Sequence, residues 1–382
     1  MTRRALLATG VAALAGTGSS CFRHKGTGYP GYALIAAAAD AAISVVDLRM
    51  FRLAGKIDLR AAPVAVMAWG GGSEAFAITG VNGTLHLLNL EERKRTASFR
   101  VAEDLVAGRL LPDGTHAAVI SRAARELLIV DLAQRRVVKR NRLAGTPAGL
   151  DVTAPDVTPV RVGVVMEDQT PNAGTVEQFD LESGAHTRQH VSSSLGAVRY
   201  RHDGGSLFVA NFEGRSITVL DGRSLQPIAD LPLAVRPEQF CFSADDGQLF
   251  VTGAGMDGVA IVFTYQPLIV EQTVLAGRTP GPMACSTDPA YLFVASRTGS
   301  EVSILSIMSR KVIAVVEAGQ GPRLILTTPD DQYALILYGL AGVLGVIRIP
   351  TITRNRHKSG AALFTMIPIG DQPVSAAIVN LV

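Results

Sequence analysis

The sequence predicts an all-β fold, a single propeller of eight four-stranded blades, and three observations carry that expectation. A strand-like pattern returns about every 43 residues, beginning near Ala33, Phe76, Ala117, Val162, Leu207, Leu249, Leu292 and Ala334. A repeat of that length holding several short strands is the signature of a propeller. A second pattern, ending in a polar residue, runs beside it at Asp47, Asn89, Asp131, Asp180, Asp221, Thr264, Ser306 and Arg348. The strands themselves are apolar on successive residues, as strands buried on both faces are. A chain of 382 residues would by length alone suggest two or three domains. The unbroken repeat overrides that prior, because propellers grow by adding blades to one closed ring. Seven blades is the alternative count.

The N-terminus precedes the repeat. It has a basic start at Arg3 and Arg4, an apolar stretch from Ala5 to Ala15, and small residues before Cys21. This is the pattern of a secretory signal, and the apolar run is too short for an ordinary membrane span. The run from Thr2 to Leu7 is similar to a twin-arginine signal, which implies export of an already folded protein. Gly18-Ser19-Ser20-Cys21 resembles a bacterial lipobox, which implies lipidation of Cys21. Gly18 stands where that pattern usually carries an aliphatic residue, so cleavage near Ser19 and release of a soluble protein is the alternative. The expected organisation is a signal over 1–20, a lipidated cysteine and flexible tether over 21–31, and the propeller over 32–382.

The repeat itself begins in mid-unit. Residues 32–37 read as a second strand with no inner strand before them, and 372–379 read as an inner strand with nothing after them. The C-terminal strand is therefore expected to complete the first blade, which leaves no open seam. The sixth repeat shows the unit best: an inner strand over 238–243, a tight Ala244-Asp245-Asp246-Gly247 turn, then strands over 249–253, 259–264 and 269–275. In the turn, Gly supplies positive φ and Asp bonds its own backbone. Tyr333–Ile349 could pass for a membrane span, but it falls on the repeat as two strands separated by Gly339 and Gly342.

These pieces resemble the YVTN-type β-propeller repeat family over residues 32–382. The matching segments include Pro112-Asp113-Gly114, Leu249-Phe250-Val251-Thr252-Gly253 and Val45-Val46-Asp47. The resemblance is specific for fold and weak for activity, since a fold does not fix a function. A lone tryptophan, Trp69, excludes both a WD-dipeptide series and the tryptophan motifs of quinoprotein propellers.

Composition narrows the function classes. The formal charge is +3, and two of the 36 basic residues are Arg3 and Arg4, which leaves 34 against 33 acids beyond the signal. A near-neutral chain argues against nucleic-acid binding, which needs a clustered basic field. The basic run Arg354, Arg356, His357, Lys358 reads as a solvated loop. The seven histidines form no ligand pair: His186 and His190 are four apart, about 13 Å along a strand. The acidic segments Asp245-Asp246-Gly247 and Asp330-Asp331 lack the alternating oxygen ligands of a calcium loop and read as hairpin turns. Gly70-Gly71-Gly72 lies between strands rather than before a helix, so it is a turn and not a phosphate cradle. No cofactor or metal is expected.

Two groups of side chains remain as candidates. Cys241 and Cys285 fall on neighbouring inner strands, one step out of phase, so their side chains leave opposite faces of their own sheets and meet across the intervening seam. Two buried core thiols are the plainer reading; an exported chain also permits a disulfide there. The second group is a set of arginines about the channel: Arg236, Arg278, Arg297 and Arg323 with Glu238 on one ring face, and Arg109 and Arg199 at matching inner-strand positions, four before Asp113 and Asp203. Guanidinium forks suit carboxylate or phosphate, so this is a candidate anion-binding rim, with internal salt bridges the plainer account. The expected function is a monomeric, non-enzymatic binding or scaffold module of the cell envelope, taking a protein, peptide or glycan through variable loops such as 168–174. Propellers similar to this one include lactonases and the haem d1 domain of nitrite reductase, so an enzyme or redox protein is the alternative. A surface-layer or adhesion role is the third.

Overall fold

The computed structural model describes residues 28–167, 173–191, 194–317, 319–352 and 362–381. Eight antiparallel sheets of four strands each form one ring. The signal region, Cys21, loop residues 168–172 and the basic run 354–358 lie outside the described residues.

Blade 1 is a composite. Its inner strand is Pro373–Asn380, followed outward by Gly31–Ala37, Ala42–Asp47 and Arg52–Asp58. The closing pair runs from Gly31 opposite Asn380 to Ala37 opposite Pro373, with one bulge near Ala36. The Leu381 N–H extends it by donating to the Pro30 carbonyl at 3.0 Å. The expected closure by the C-terminal strand is thus present. Blades 2 to 8 follow in chain order, with inner strands Pro63–Trp69, Leu105–Leu110, Thr146–Val152, Leu195–Tyr200, Arg236–Phe242, Pro280–Cys285 and Pro322–Thr327. Strand bounds in blade 6 differ from the sequence reading by one or two residues, because hydrogen bonding carries the inner strand back through Pro237, where a bulge absorbs the proline.

The recurring polar residue now has a physical role. Asp47 accepts the Arg49 and Met50 N–H groups at 2.9 and 3.0 Å, Asp180 those of Glu182 and Ser183, and Asp221 those of Arg223 and Ser224. Each closes the turn into the outermost strand by an Asx bond. The stretch 333–349 is two strands of blade 8, Tyr333–Tyr338 and Val343–Arg348, and no helix of the described residues is long and apolar enough to cross a membrane.

Adjacent blades pack face to face. Between blades 2 and 3, Phe76, Ile78 and Leu85 meet Ala117, Val119 and Leu128, all fully buried. Phe76, Phe208, Phe250 and Phe293 occupy the same second-strand position in four blades and are wholly inside. Each buried phenyl contributes about 2–3 kcal/mol by area. Blades 3 and 4 carry Ala118 and Gly163 at that position instead, opposite Arg109 and Asp151.

Candidate channel site

Register places Arg109, Asp151 and Arg199 at one level of three consecutive inner strands, opposite Ala118, Gly163 and Phe208. Asp151 lies between the two arginines. Its Oδ1 is 3.6 Å from Arg109 Nε and 3.5 Å from Arg199 Nη1. Its Oδ2 accepts the Tyr200 backbone N–H at 2.9 Å. The carboxylate is 13% exposed and each guanidinium side chain 40%, so the acid is held in the wall while the cations reach the channel water. Burial and the neighbouring Arg199 lower the Arg109 pKa from its usual value, and Asp151 opposes them. An arginine starts so far above neutrality that it stays charged. Two cations therefore share one anion.

Small residues make the room. A Cβ on Gly163 would stand 3.1 Å from the Tyr200 hydroxyl, and that buried hydroxyl donates to Gln178 Oε1 at 3.0 Å. Gly163 thus admits the ring whose backbone N–H orients Asp151. Sequence reading singled out both arginines but missed Asp151. It located them by counting back from Asp113 and Asp203 in short turns, whereas blade 4 leaves its inner strand through the longer segment 153–160. Aligning inner strands rather than turns would have shown the acid between them.

The remaining rim residues do not join this triad. Arg109, Asp151 and Arg199 lie near the first-turn end of their strands, and the others lie at the opposite mouth. There, Arg297 hydrogen-bonds Glu238 across blades 7 and 6. Those two, with Arg323 and Leu340, line a cleft of about 450 Å³. Arg323 lies flat over Gly339, where a Cβ would come within 2.6 Å of its Cγ. Arg236 is set apart, with Nη2 3.6 Å from Glu213 and its guanidinium 5.5 Å over Phe212. Arg278 is exposed and lines a separate groove beside Asp257 and Glu301. The single rim expected from sequence is thus a triad inside the channel, a cleft at the mouth, and two arginines apart from both.

Cys241 and Cys285 are free thiols with Sγ atoms 3.2 Å apart. The described histidines lie off the inner strands; His202 is on a turn, 3.7 Å from Asp156. Among the described residues no three His, Cys, Asp or Glu side chains are grouped as metal ligands would be.

No protein-family model matches the sequence, and no curated protein matches it either. Solved structures do match, and they share the propeller fold. A dihydro-haem d1 dehydrogenase, NirN, in complex with DHE superposes with a TM-score of 0.72 at 15% identity, over 91% of this chain and 75% of that one. Apo AztD from Citrobacter koseri gives 0.67 at 11% identity, over 91% and 98%. Sqt1 of Saccharomyces cerevisiae gives 0.65 at 8%, over 81% and 86%. At these identities the likeness is one of fold.

Proposed function

We propose that this chain is a YVTN-type propeller of the cell envelope that binds a carboxylate- or phosphate-bearing ligand in its channel without chemically changing it. The observation that carries the reading is the pair Arg109 and Arg199 sharing the single carboxylate of Asp151, which leaves one net positive charge facing the channel. With Asp151 largely buried and both guanidinium groups partly so, that charge is worth more than at an open surface, and a forked anion would complete the two guanidinium groups. Localisation in the envelope rests on the signal-like N-terminus and Cys21. Mass spectrometry of the exported protein checks it through a lipid adduct on Cys21.

The binding test is calorimetric titration of the protein with citrate and with inorganic phosphate. Arg109→Ala with Arg199→Ala is expected to lose binding at least tenfold. Asp151→Asn is expected to tighten it, because the internal competitor for both cations is gone. Equal affinity in wild type and both variants would refute the channel site.

A second reading takes its support from the likeness to the dihydro-haem d1 dehydrogenase. A tetrapyrrole bearing carboxylates suits the same guanidinium chemistry. A UV–visible spectrum of protein purified from an exporting host separates the two. A Soret-type band favours the tetrapyrrole, and a colourless protein that still binds citrate favours the simple anion.

A further inference from the structure

We propose that Cys241 and Cys285 form an oxidisable pair that closes into a disulfide across the seam between blades 6 and 7. Their Sγ atoms stand 3.2 Å apart as free thiols. Bonded sulfurs lie about 2.05 Å apart, so closure asks for a combined approach of about 1 Å. The juxtaposition is built into the repeat. Cys241 pairs with Phe250 and Cys285 with Leu292, positions one step out of phase in successive blades. Their side chains therefore leave opposite faces of their own sheets and enter the same seam, beside Phe250, Leu292 and Val294. Both residues are partly exposed, and Cys241 sits on the inner-strand level of Arg109, Asp151 and Arg199. A small thiol reagent in the channel can therefore reach the pair.

The oxidant is a low-molecular-weight disulfide such as oxidised glutathione. The hydrogen bond with Cys241, followed by burial, raises the Cys285 thiol well above its usual range; exchange can begin at either sulfur, here at Cys241. The Cys241 thiolate attacks one glutathione sulfur, the glutathione S–S bond breaks, and one glutathione thiolate leaves. The Cys285 thiolate then attacks Cys241 Sγ and expels the second glutathione. The two cysteines lose two electrons and two protons, and one glutathione disulfide becomes two thiols. The product ties residues 44 positions apart and restricts the unfolded chain.

The test equilibrates the full chain in reduced-to-oxidised glutathione series, blocks remaining thiols by alkylation and maps the peptides. The expected result is joint loss of alkylation at Cys241 and Cys285, recovery of their linked peptide, and a rise of a few degrees in melting temperature that dithiothreitol reverses. Cys241→Ser and Cys285→Ala, each compared with itself across the series, should show no such shift. Both cysteines alkylated throughout, bonds only to glutathione or another copy, or protection without a linked peptide would each overturn the proposal.

Discussion

His86 shows how one residue sets a pH dependence. It is 4% exposed, bonded to Ser98 Oγ at 2.8 Å and to Thr79 Oγ1 at 3.3 Å. Burial, with help from Arg95, pushes its pKa down to about 4 from 6.5. The folded ring then resists a proton that the unfolded chain accepts. Stability is unaffected above pH 6.5 and falls as the pH drops from 6.5 towards 4. Urea titrations across that window should show the loss in wild type and a flatter profile in His86→Gln; identical profiles would refute the assignment. Turn carboxylates act in the same direction lower down. Asp245 is held below its ordinary range first by the Ser243 hydroxyl and then by the Gly247 N–H. Its contribution is present above the usual carboxylate range and is lost as the pH falls from that range through the lower folded value. None of this was legible in the sequence, where His86 was one unpaired histidine and Asp245 a turn residue.

The first turn of a blade proves to be a tie as well as a reversal. Asp246 Oδ2 of blade 6 accepts the His202 N–H of blade 5 at 2.7 Å. Asp331 of blade 8 accepts the Thr287 and Asp288 N–H groups of blade 7 at 3.0 and 2.9 Å. Both aspartates have φ near +54°, in the left-handed region. Trp69 does similar work between blades 2 and 3, donating to the Gly114 carbonyl at 3.0 Å. Sequence reading placed these acids in hairpin turns rather than calcium loops. Their reach into the next blade was hidden, because a contact between residues 44 apart has no local signature. Asp246→Ala and Asp331→Ala are each expected to cost about 0.5–1.5 kcal/mol, the net worth of hydrogen bonds whose exposed donors water can serve instead. Asp245→Ala should weaken only its own turn. Chemical denaturation measures all three, and a neutral Asp331→Ala would show that its two bonds add nothing.

At the scale of the ring, the blade count and closure were legible because both rest on a regular repeat and an incomplete one at each end. The channel was less so, since its chemistry depends on which side chains share a level. Arg109, Asp151 and Arg199 are separated by 42 and 48 positions, and only the register of three sheets aligns them. Because every blade buries both faces against neighbours, removing one inner strand exposes a whole seam. Deleting 372–382 is therefore expected to lower the entire thermal transition, rather than to create a separate early one for blade 1. A truncated protein that melts like the full chain would contradict the observed closure. That closure also frees the fold from its order of synthesis. Residues 31 and 380 stand opposite each other on paired strands, so the circle has no structural beginning. A rearranged gene joining them by a short linker and opening the exposed turn at Ala133 and Gln134 would encode the same eight sheets from a different starting point.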